Sequence, residues 1–307
     1  MGCGEMAEND DERSPFVIGA DALQARLGEP KLRVVDASWY LPAQGRDGAA
    51  EYASAHIPGA VFFDQDEVVD RSSPLPHALP SPHDFAAAVG AMGIGENDSI
   101  VVYDGPGMFT APRVWWMFRV MGARDVRVLD GGFDHWKRDG RPVTDAPADP
   151  RPVMFTPRFD AQAVASLADM RSVIENGSAQ IADARPRGRF TGQEPEPRAG
   201  MRSGHMPGAF NVPISTLSQD GRLKSLPELR QTLRMTGIDP EKPVVTTCGS
   251  GVTAAVITLA LHSLGHADNR LYDGSWSEWG SRDDTPVKTG EGIVEPVTDP
   301  TPGSLGD

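Results

Sequence analysis

The segment VVTTCGSGVTAAV, from Val244 to Val256, places a cysteine between a strand pattern and a helix pattern. Val and Thr residues precede Cys248, and β-branched residues favour strands. After the loop CGSG, the segment VTAAVITLALHSLG predicts a helix that ends at Gly265. We therefore expect a strand, a tight loop and a helix in this order, with the thiol at the carboxyl end of the strand.

This pattern occurs twice in the chain, and the repeat decides the fold. VVYDGPGMFTAP, from Val101, aligns with VVTTCGSGVTAA, from Val244. Two further pairs repeat, HIPGA with HMPGA and LDGGFDHW with YDGSWSEW, at 56–60, 205–209, 129–136 and 272–279. Such internal similarity indicates two copies of one domain of about 130 residues.

Short apolar segments alternate with helical segments within each copy. LRVVDA, SIVVYD and VRVLDGG in the first copy, and AQIADA, KPVVTT and NRLYDGS in the second, predict buried parallel strands. We therefore predict an α/β fold of two tandem domains, each a parallel sheet flanked by helices. The predicted domains are 15–143 and 160–290, each with its own core, and the Pro-rich segment 144–159 is predicted to be an extended linker.

The overall charge argues against several classes of partner. A formal net charge of -14 disfavours nucleic acid and anionic membrane surfaces, while a local arginine cluster can still bind a small anion. No apolar run approaches the roughly 20 residues of a membrane span, and the acidic start is unlike a signal peptide. We therefore expect a cytoplasmic protein.

Cys248 is one of two cysteines, and the other, Cys3, lies in a Gly-rich, charged segment. Two cysteines do not form a disulfide scaffold, and the seven histidines show no metal-ligand spacing, so we expect no metal and no organic cofactor. A glycine loop at a helix N-terminus favours the thiolate, since its N–H groups and the helix dipole attract negative charge. Cys248 is the predicted nucleophile, and a buried structural cysteine is the alternative.

The repeat also indicates a single competent site. In the alignment Cys248 lies opposite Gly105, so we expect the first copy to lack the nucleophile and to shape the site of the second. His56 and His205 occur in both copies and are predicted to be structural.

Other cysteine chemistries fit this loop poorly. A cysteine phosphatase needs an arginine six residues after the cysteine to bind phosphate, and Ala254 stands there. The nearest histidines in sequence, His262 and His266, lie at the far end of the predicted helix, which disfavours a Cys-His protease.

The tandem repeat, the HIPGA and HMPGA pair, the YDGSW element and the loop CGSGVT resemble the two-domain rhodanese superfamily, and within it the 3-mercaptopyruvate sulfurtransferases. The resemblance covers about residues 15 to 290. The loop is its most specific part, because thiosulfate-preferring members carry basic residues there, in the manner of CRKGVT.

The resemblance implies a mechanism. Cys248 would take the sulfur of 3-mercaptopyruvate as a persulfide, release pyruvate, and pass the sulfur to a thiol acceptor such as thioredoxin, or to cyanide. Ser250 would pass a proton to the pyruvate enolate, although a hydrogen bond to its own loop backbone is the alternative. The persulfide anion would be held by loop N–H groups, those of Gly249, Gly251, Val252 and Thr253.

The resemblance also implies residues that bind the small anionic donor. Arg189 and Arg198 would bind its carboxylate and ketone, because a planar guanidinium forms two hydrogen bonds with a carboxylate. Arg187, in the same segment, fits a solvated surface charge best.

Residues of the first copy complete the implied site. FFDQD and SPLPHALP match family elements that reach the active site, and they contribute Asp64, Asp66 and His77. Asp66 and His77 would assist Ser250 in a relay.

Two alternatives remain open. One is a thiosulfate sulfurtransferase, which the neutral loop disfavours because dianionic thiosulfate would gain from cations beside the thiol. The other is a non-catalytic carrier that presents a persulfide on Cys248 to a partner.

Overall fold

The computed structural model describes residues 12–266 and 268–292, so Cys3 lies outside the described residues. The first half contains strands β1 (Val17–Ile18), β2 (Leu32–Asp36), β3 (Ala60–Phe62), β4 (Ser99–Tyr103) and β5 (Asp125–Leu129). Its helices are α1 (Ala20–Arg26), α2 (Gly48–Ser54), α3 (Pro82–Ala91), α4 (Ala111–Val120) and α5 (Gly132–Arg138). The strands form one parallel sheet in the order β1-β5-β4-β2-β3.

The second half repeats this arrangement. Its strands are β6 (Val164–Ala165), β7 (Gln180–Asp183), β8 (Ala209–Asn211), β9 (Ser218–Gln219), β10 (Arg222–Leu223), β11 (Val244–Thr247) and β12 (Asn269–Tyr272). Its helices are α6 (Leu167–Asn176), α7 (Arg187–Thr191), α8 (Leu226–Met235), α9 (Ala254–Ser263) and α10 (Ser275–Trp279). The parallel sheet has the order β6-β12-β11-β7-β8, and β9 and β10 form a separate antiparallel hairpin. The predicted α/β fold of two tandem domains is confirmed.

The helices begin at residues that satisfy their first N–H groups. Ser81 accepts the Asp84 N–H before α3, and Pro82 occupies the first helical position. Before α8, Ser225 and Glu228 form a capping box. Both helices therefore begin at capping sequences that are recognisable from the residues alone.

The core departs from the expectation of one core for each domain. The largest cluster of buried apolar residues runs from the first sheet through α4 and α9 into the second sheet. A smaller cluster covers the outer face of each sheet. The helices α4 and α9 pack on each other and are buried along nearly their whole length. Association of the halves therefore contributes to folding, because it buries apolar area that either half alone would expose.

The segment predicted to be a linker lies along the first domain. It contains no helix or named strand, and it begins with a bridge between Thr144 and His56. The Val153 N–H donates to the Gly90 carbonyl at 2.9 Å, and the Arg158 N–H donates to the Met121 carbonyl at 2.8 Å. These contacts hold the segment against the ends of two helices.

His56 and His205 occupy equivalent structural positions. Nδ1 of His56 lies 2.8 Å from the Tyr52 carbonyl, and Nδ1 of His205 lies 2.9 Å from the Phe190 carbonyl. Both rings are buried beneath their sheets. Their contacts are those of the structural residues that the repeat predicts.

No helix in the described part of the chain is both long enough and apolar enough to cross a bilayer.

Candidate active site

Cys248 lies where β11 ends, and its side chain is buried. The Cys248 N–H donates to Ser275 Oγ at 3.3 Å, and its carbonyl accepts the Trp276 N–H at 3.0 Å. Ser275 has a φ of 49°, a conformation that non-glycine residues seldom adopt. The first turn of α10 therefore fixes the backbone of the cysteine, and sequence analysis did not identify Ser275.

Two glycines of the loop lie close to neighbouring groups. A Cβ atom on Gly249 would lie 3.0 Å from Nη2 of Arg189. Gly251 has a φ of 80°, and a Cβ atom there would lie 2.9 Å from the Asp273 carbonyl. Backbone conformation therefore favours glycine at Gly251, and the small residue at Gly249 lets the Arg189 guanidinium lie against the loop.

The structure corrects the pairing of Cys248 with Gly105. The Asp104 carbonyl accepts the Phe133 N–H at 2.8 Å, just as the Cys248 carbonyl accepts the Trp276 N–H. Strand pairing agrees, since Tyr103 pairs with Asp36 in β2 as Thr247 pairs with Asp183 in β7. Asp104 is therefore the counterpart of Cys248, and the first loop holds one more residue than the second before its helix.

The counterpart loop shows what this backbone conformation binds. The carboxyl oxygens of Asp104 accept four backbone N–H groups at 2.6 to 3.0 Å, those of Gly107, Phe109, Thr110 and Ala111. Burial raises the pKa of Asp104 above its ordinary value, and these four donors act in the opposite direction. The first loop is thus an anion nest that its own aspartate fills.

The second loop presents the same kind of nest to the thiol. Within residues 12–266 and 268–292, no protein oxygen or nitrogen accepts the backbone N–H groups from Ser250 to Thr253. Thr253 precedes α9, whose N-terminus adds partial positive charge. The surroundings of Cys248 therefore favour negative charge on sulfur.

The structure brings Ser250, His77 and Asp66 together across the domain interface. Nδ1 of His77 lies 3.0 Å from Ser250 Oγ, and Nε2 lies 3.0 Å from Asp66 Oδ1. With the Nε2 proton facing the carboxylate, Nδ1 accepts the Ser250 hydroxyl. The hydrogen bond with His77 lowers the pKa of Asp66 below its ordinary value. Ser250 thus contacts the predicted relay partner rather than its own loop backbone.

Asp64 lies beside this relay but does not join it. Its side chain accepts the Asp66 N–H at 2.9 Å, and its carbonyl accepts the Val68 N–H at 3.0 Å. No hydrogen bond within the described residues links Asp64 to His77 or Ser250. The structure therefore gives Asp64 the position of a turn residue that orients Asp66.

Arg189 reaches the loop from the end of α7, and a buried acid holds it there. Glu196 accepts Arg189 Nε at 3.1 Å and also accepts Arg185 Nη1 at 2.7 Å. Arg185 in turn binds the buried Asp183 carboxylate. This buried ion network fixes the Arg189 guanidinium next to Gly249, and sequence analysis did not identify Glu196.

Arg198 lines the same cavity as Cys248 without an ionic partner of its own. Within the described ranges, no hydrogen bond or ion pair joins this half-buried guanidinium to another side chain. Burial, followed by the charge of Arg189, lowers the pKa of Arg198 from its usual range. Arg187, in contrast, is exposed and pairs with Glu291, which fits the predicted surface role.

A cavity of about 230 Å³ lies between the domains above the thiol. Arg189 and Arg198 contribute its cationic side. Apolar side chains from both domains form the rest of the wall: Trp39, Leu41, Phe109, Pro186, Pro197, Pro213, Ile214 and Val252. A larger cavity of about 530 Å³ near Arg13 and Lys224 has charges of both signs and no cysteine or histidine among the described residues that line it. The cavity at Cys248 is therefore the candidate site, and it suits a small anion with a short carbon skeleton.

Trp39 is a residue of this wall that sequence analysis missed. Its indole N–H donates to Asp66 Oδ2 at 2.9 Å, and its ring meets the His77 ring edge to face at 4.7 Å between centres. The side chain therefore orients both relay partners. A single Trp after a strand belongs to no motif, and sequence patterns therefore did not identify it.

Replacing Trp39 with Phe should separate these contacts. Phe keeps the ring against His77 but removes the hydrogen bond to Asp66, so we expect kcat to fall about two- to tenfold, the worth of one hydrogen bond. Steady-state kinetics should show KM nearly unchanged, since the cationic side of the cavity is intact. An unchanged kcat would show that the indole N–H does not serve the relay.

The sequence relationships agree with this site. The family model of the rhodanese-like domain matches residues 19–139 and 166–282. The chain therefore belongs to the rhodanese-like family, with two copies of its domain.

Among the described residues there is no group of three or more side chains that could bind a metal ion.

Particular relatives are sulfurtransferases. The chain is 43% identical over 274 residues to 3-mercaptopyruvate sulfurtransferase of Escherichia coli K12, which covers 89% of this chain and 98% of that protein. It is 44% identical over 263 residues to thiosulfate sulfurtransferase of Gallus gallus, a match that covers 85% of this chain and 90% of that protein. The crystal structure of SseA from Escherichia coli, a 3-mercaptopyruvate enzyme, matches with a TM-score of 0.79 and 40% identity, over 86% of this chain and 99% of that one.

Proposed function

We propose that this sulfurtransferase moves sulfur from 3-mercaptopyruvate, through a persulfide on Cys248, to a thiol acceptor. The observation that carries the proposal is the arrangement of the cavity at Cys248. It combines a thiol in an anion nest, two arginines on one side and the Ser250–His77 contact on the other. This chain matches 98% of the length of the 3-mercaptopyruvate sulfurtransferase of Escherichia coli K12 and 99% of the SseA structure.

The chemistry follows from these positions. Cys248 thiolate attacks the donor sulfur, an S–S bond forms and the C–S bond breaks, leaving its electron pair on carbon as pyruvate enolate. The enolate carbon takes a proton from the Ser250 hydroxyl, and the proton released by Cys248 is returned to Ser250 through His77. The products are pyruvate and a cysteine persulfide, whose anion the loop N–H groups stabilise.

The donor is recognised by charge and shape together. Arg189 and Arg198 supply planar hydrogen-bond donors for the carboxylate and the neighbouring ketone. The apolar wall from Trp39, Leu41 and Phe109 faces the carbon skeleton. A donor with a carboxylate at one end and sulfur at the other would place the carboxylate at this pair and the sulfur at the thiol, since all three residues line one cavity.

The second half-reaction returns the enzyme to its thiol form. An acceptor thiolate attacks the outer sulfur and Cys248 leaves, so a dithiol such as thioredoxin would give its disulfide and hydrogen sulfide. Cyanide would give thiocyanate by the same displacement. We place this reaction in the cytoplasm, where reduced dithiols are available.

Thiosulfate is a second candidate donor, because relatives with that name are as similar as those named for mercaptopyruvate. The loop CGSG itself carries no cationic side chain, so this dianion would have only Arg189 and Arg198 as cations and would be bound less well than by a basic loop. A carrier that accepts sulfur without repeated turnover is the remaining alternative.

A comparison of the two donors with cyanide as acceptor tests the proposal. We expect kcat/KM for 3-mercaptopyruvate to exceed that for thiosulfate by about tenfold or more, the factor that one charge-assisted hydrogen bond supplies. Pyruvate and thiocyanate should form in equal amounts. A reversed preference would make the protein a thiosulfate enzyme, and a single turnover that leaves a stable persulfide would make it a carrier.

A further inference from the structure

Arg113 is a buried cation that joins the two halves of the site. It lies in the first turn of α4, and its side chain is 2% exposed. Its Nη2 donates to the His77 carbonyl and to Asp273 Oδ1, each at 2.7 Å. Its Nη1 donates to the Gly251 carbonyl at 3.4 Å. One guanidinium therefore links the segment that carries His77 to the loop that carries Ser250.

The backbone of His77 needs such support. His77 has a φ of 57°, in the left-handed region that favours glycine, while its ring must face Ser250. Arg113 holds its carbonyl, and two residues later the Leu79 N–H donates to Asp273 Oδ2 at 2.7 Å. Arg113 and Asp273 thus fix the disfavoured backbone from both sides.

The other half of the molecule makes an equivalent crossing with an arginine from a different part of the chain. Asp130 is the counterpart of Asp273, and it accepts the Leu223 N–H from the second domain at 2.8 Å and Nη1 of Arg13 at 2.9 Å. Two residues before Leu223, Gly221 has a φ of 69°, and its carbonyl accepts the Gly131 N–H at 3.0 Å. At this crossing the carbonyl of the residue with positive φ therefore accepts a backbone donor, and the arginine that binds the carboxylate comes from outside the helix.

The two repeats have different residues at the helix position of Arg113, and they also differ in whether the crossing carries a residue of the proposed relay. Arg113 is the third residue of α4, and Val256 is the third residue of α9. The crossing with glycine takes its arginine, Arg13, from the segment before β1, whereas the crossing with histidine takes Arg113 from the helix. A residue needed for folding of the repeat would be expected at both positions.

We propose that Arg113, paired with Asp273, is a positioning residue that holds His77 in register with Ser250. The inference rests on the proposed function, because it concerns proton delivery to the enolate. Arg113 does not line the cavity, so its effect falls on the relay and not on donor binding. The step it serves is the first half-reaction, since displacement of sulfur by cyanide needs no enolate proton.

The test compares Arg113→Lys and Asp273→Asn with the matched control Asp130→Asn, all in the full chain. Asp130→Asn alters the equivalent carboxylate of the half that lacks Cys248. We expect Arg113→Lys to lower kcat for mercaptopyruvate about tenfold or more, and Asp273→Asn to lower it severalfold, with KM changed less than about twofold. The control should retain wild-type kcat. Rapid-mixing measurements should show slower persulfide formation and an unchanged rate of persulfide discharge to cyanide.

Each outcome decides one question. If Arg113→Lys folds poorly, Asp273→Asn still decides, because it keeps a neutral acceptor of the same shape. Equal losses of kcat in Asp273→Asn and Asp130→Asn would overturn the inference and leave Arg113 a structural clamp. A slower discharge of preformed persulfide would also overturn it. Absence of turnover in the wild-type chain with either donor would instead contradict the proposed function.

Discussion

Replacing Cys248 with Ser is expected to abolish turnover with both donors, by a factor on the order of 10⁴ or more. A serine hydroxyl ionises far less readily than a thiol, and oxygen cannot form the S–S bond that carries the transferred sulfur. The anion nest would remain, so donor binding should persist while chemistry stops. The measurement is pyruvate and thiocyanate formation under saturating donor.

The mass of the intact chain gives an independent readout of this prediction. Wild-type enzyme exposed to mercaptopyruvate without acceptor should gain one sulfur atom, which a reducing agent removes. Cys248→Ser should gain none, and Cys3→Ser should behave as wild type. Thermal unfolding should change little, because the substituted side chain is small and nearly isosteric. Turnover that survives in Cys248→Ser would contradict the persulfide mechanism.

The fold was predictable because the repeated motifs mark strand boundaries. The Asp that follows VRVL and NRLY, for example, comes directly after β5 and β12. The shared core was not predictable. The pattern of α4 indicates a buried helix but cannot identify its partner, and here the partner is α9 of the other domain.

One error of register shows where alignment of the repeats fails. A single offset aligned the helices α4 and α9 correctly, yet it placed Gly105 opposite the thiol. The first loop has one extra residue, and Met108 in that loop has a φ of 50°. Sequence letters cannot show such an insertion between short glycine loops. Hydrogen bonds to the following helix show that Asp104 is the true counterpart.

The site residues found from sequence are those with a motif, and those missed act through another residue. Cys248 and Ser250 stand in the loop that resembles the family, and His77 stands in SPLPHALP. Arg113 and Glu196 have no local pattern, because each is defined by long-range partners that the chain brings together on folding. The buried charges that orient catalytic groups therefore require the structure.

The two arginines proposed to bind the donor should give the second large effect. Replacing Arg189 or Arg198 with Ala should lower kcat/KM for mercaptopyruvate by roughly ten- to a hundredfold, since charge-assisted hydrogen bonds contribute about 1.5–3 kcal/mol each. Lys should restore part of the loss at either position, because it supplies charge without the planar pair of donors. Arg187→Ala is the matched control, since this exposed arginine lies in the same segment and pairs with Glu291.

The two arginines should differ in how the loss arises. Arg198 has no ionic partner among the described residues, so Arg198→Ala removes a cation and should act mainly through KM. Arg189→Ala also leaves the buried Glu196 with one cation fewer, and the carboxylate would then repel an anionic donor. We therefore expect the larger loss at Arg189, and discharge of preformed persulfide to cyanide should stay near the wild-type rate in both variants. Unchanged kinetics in Arg198→Ala would make this arginine a surface charge, and a loss in Arg187→Ala as large as the other two would mean that general electrostatic attraction, rather than binding by the pair, steers the donor.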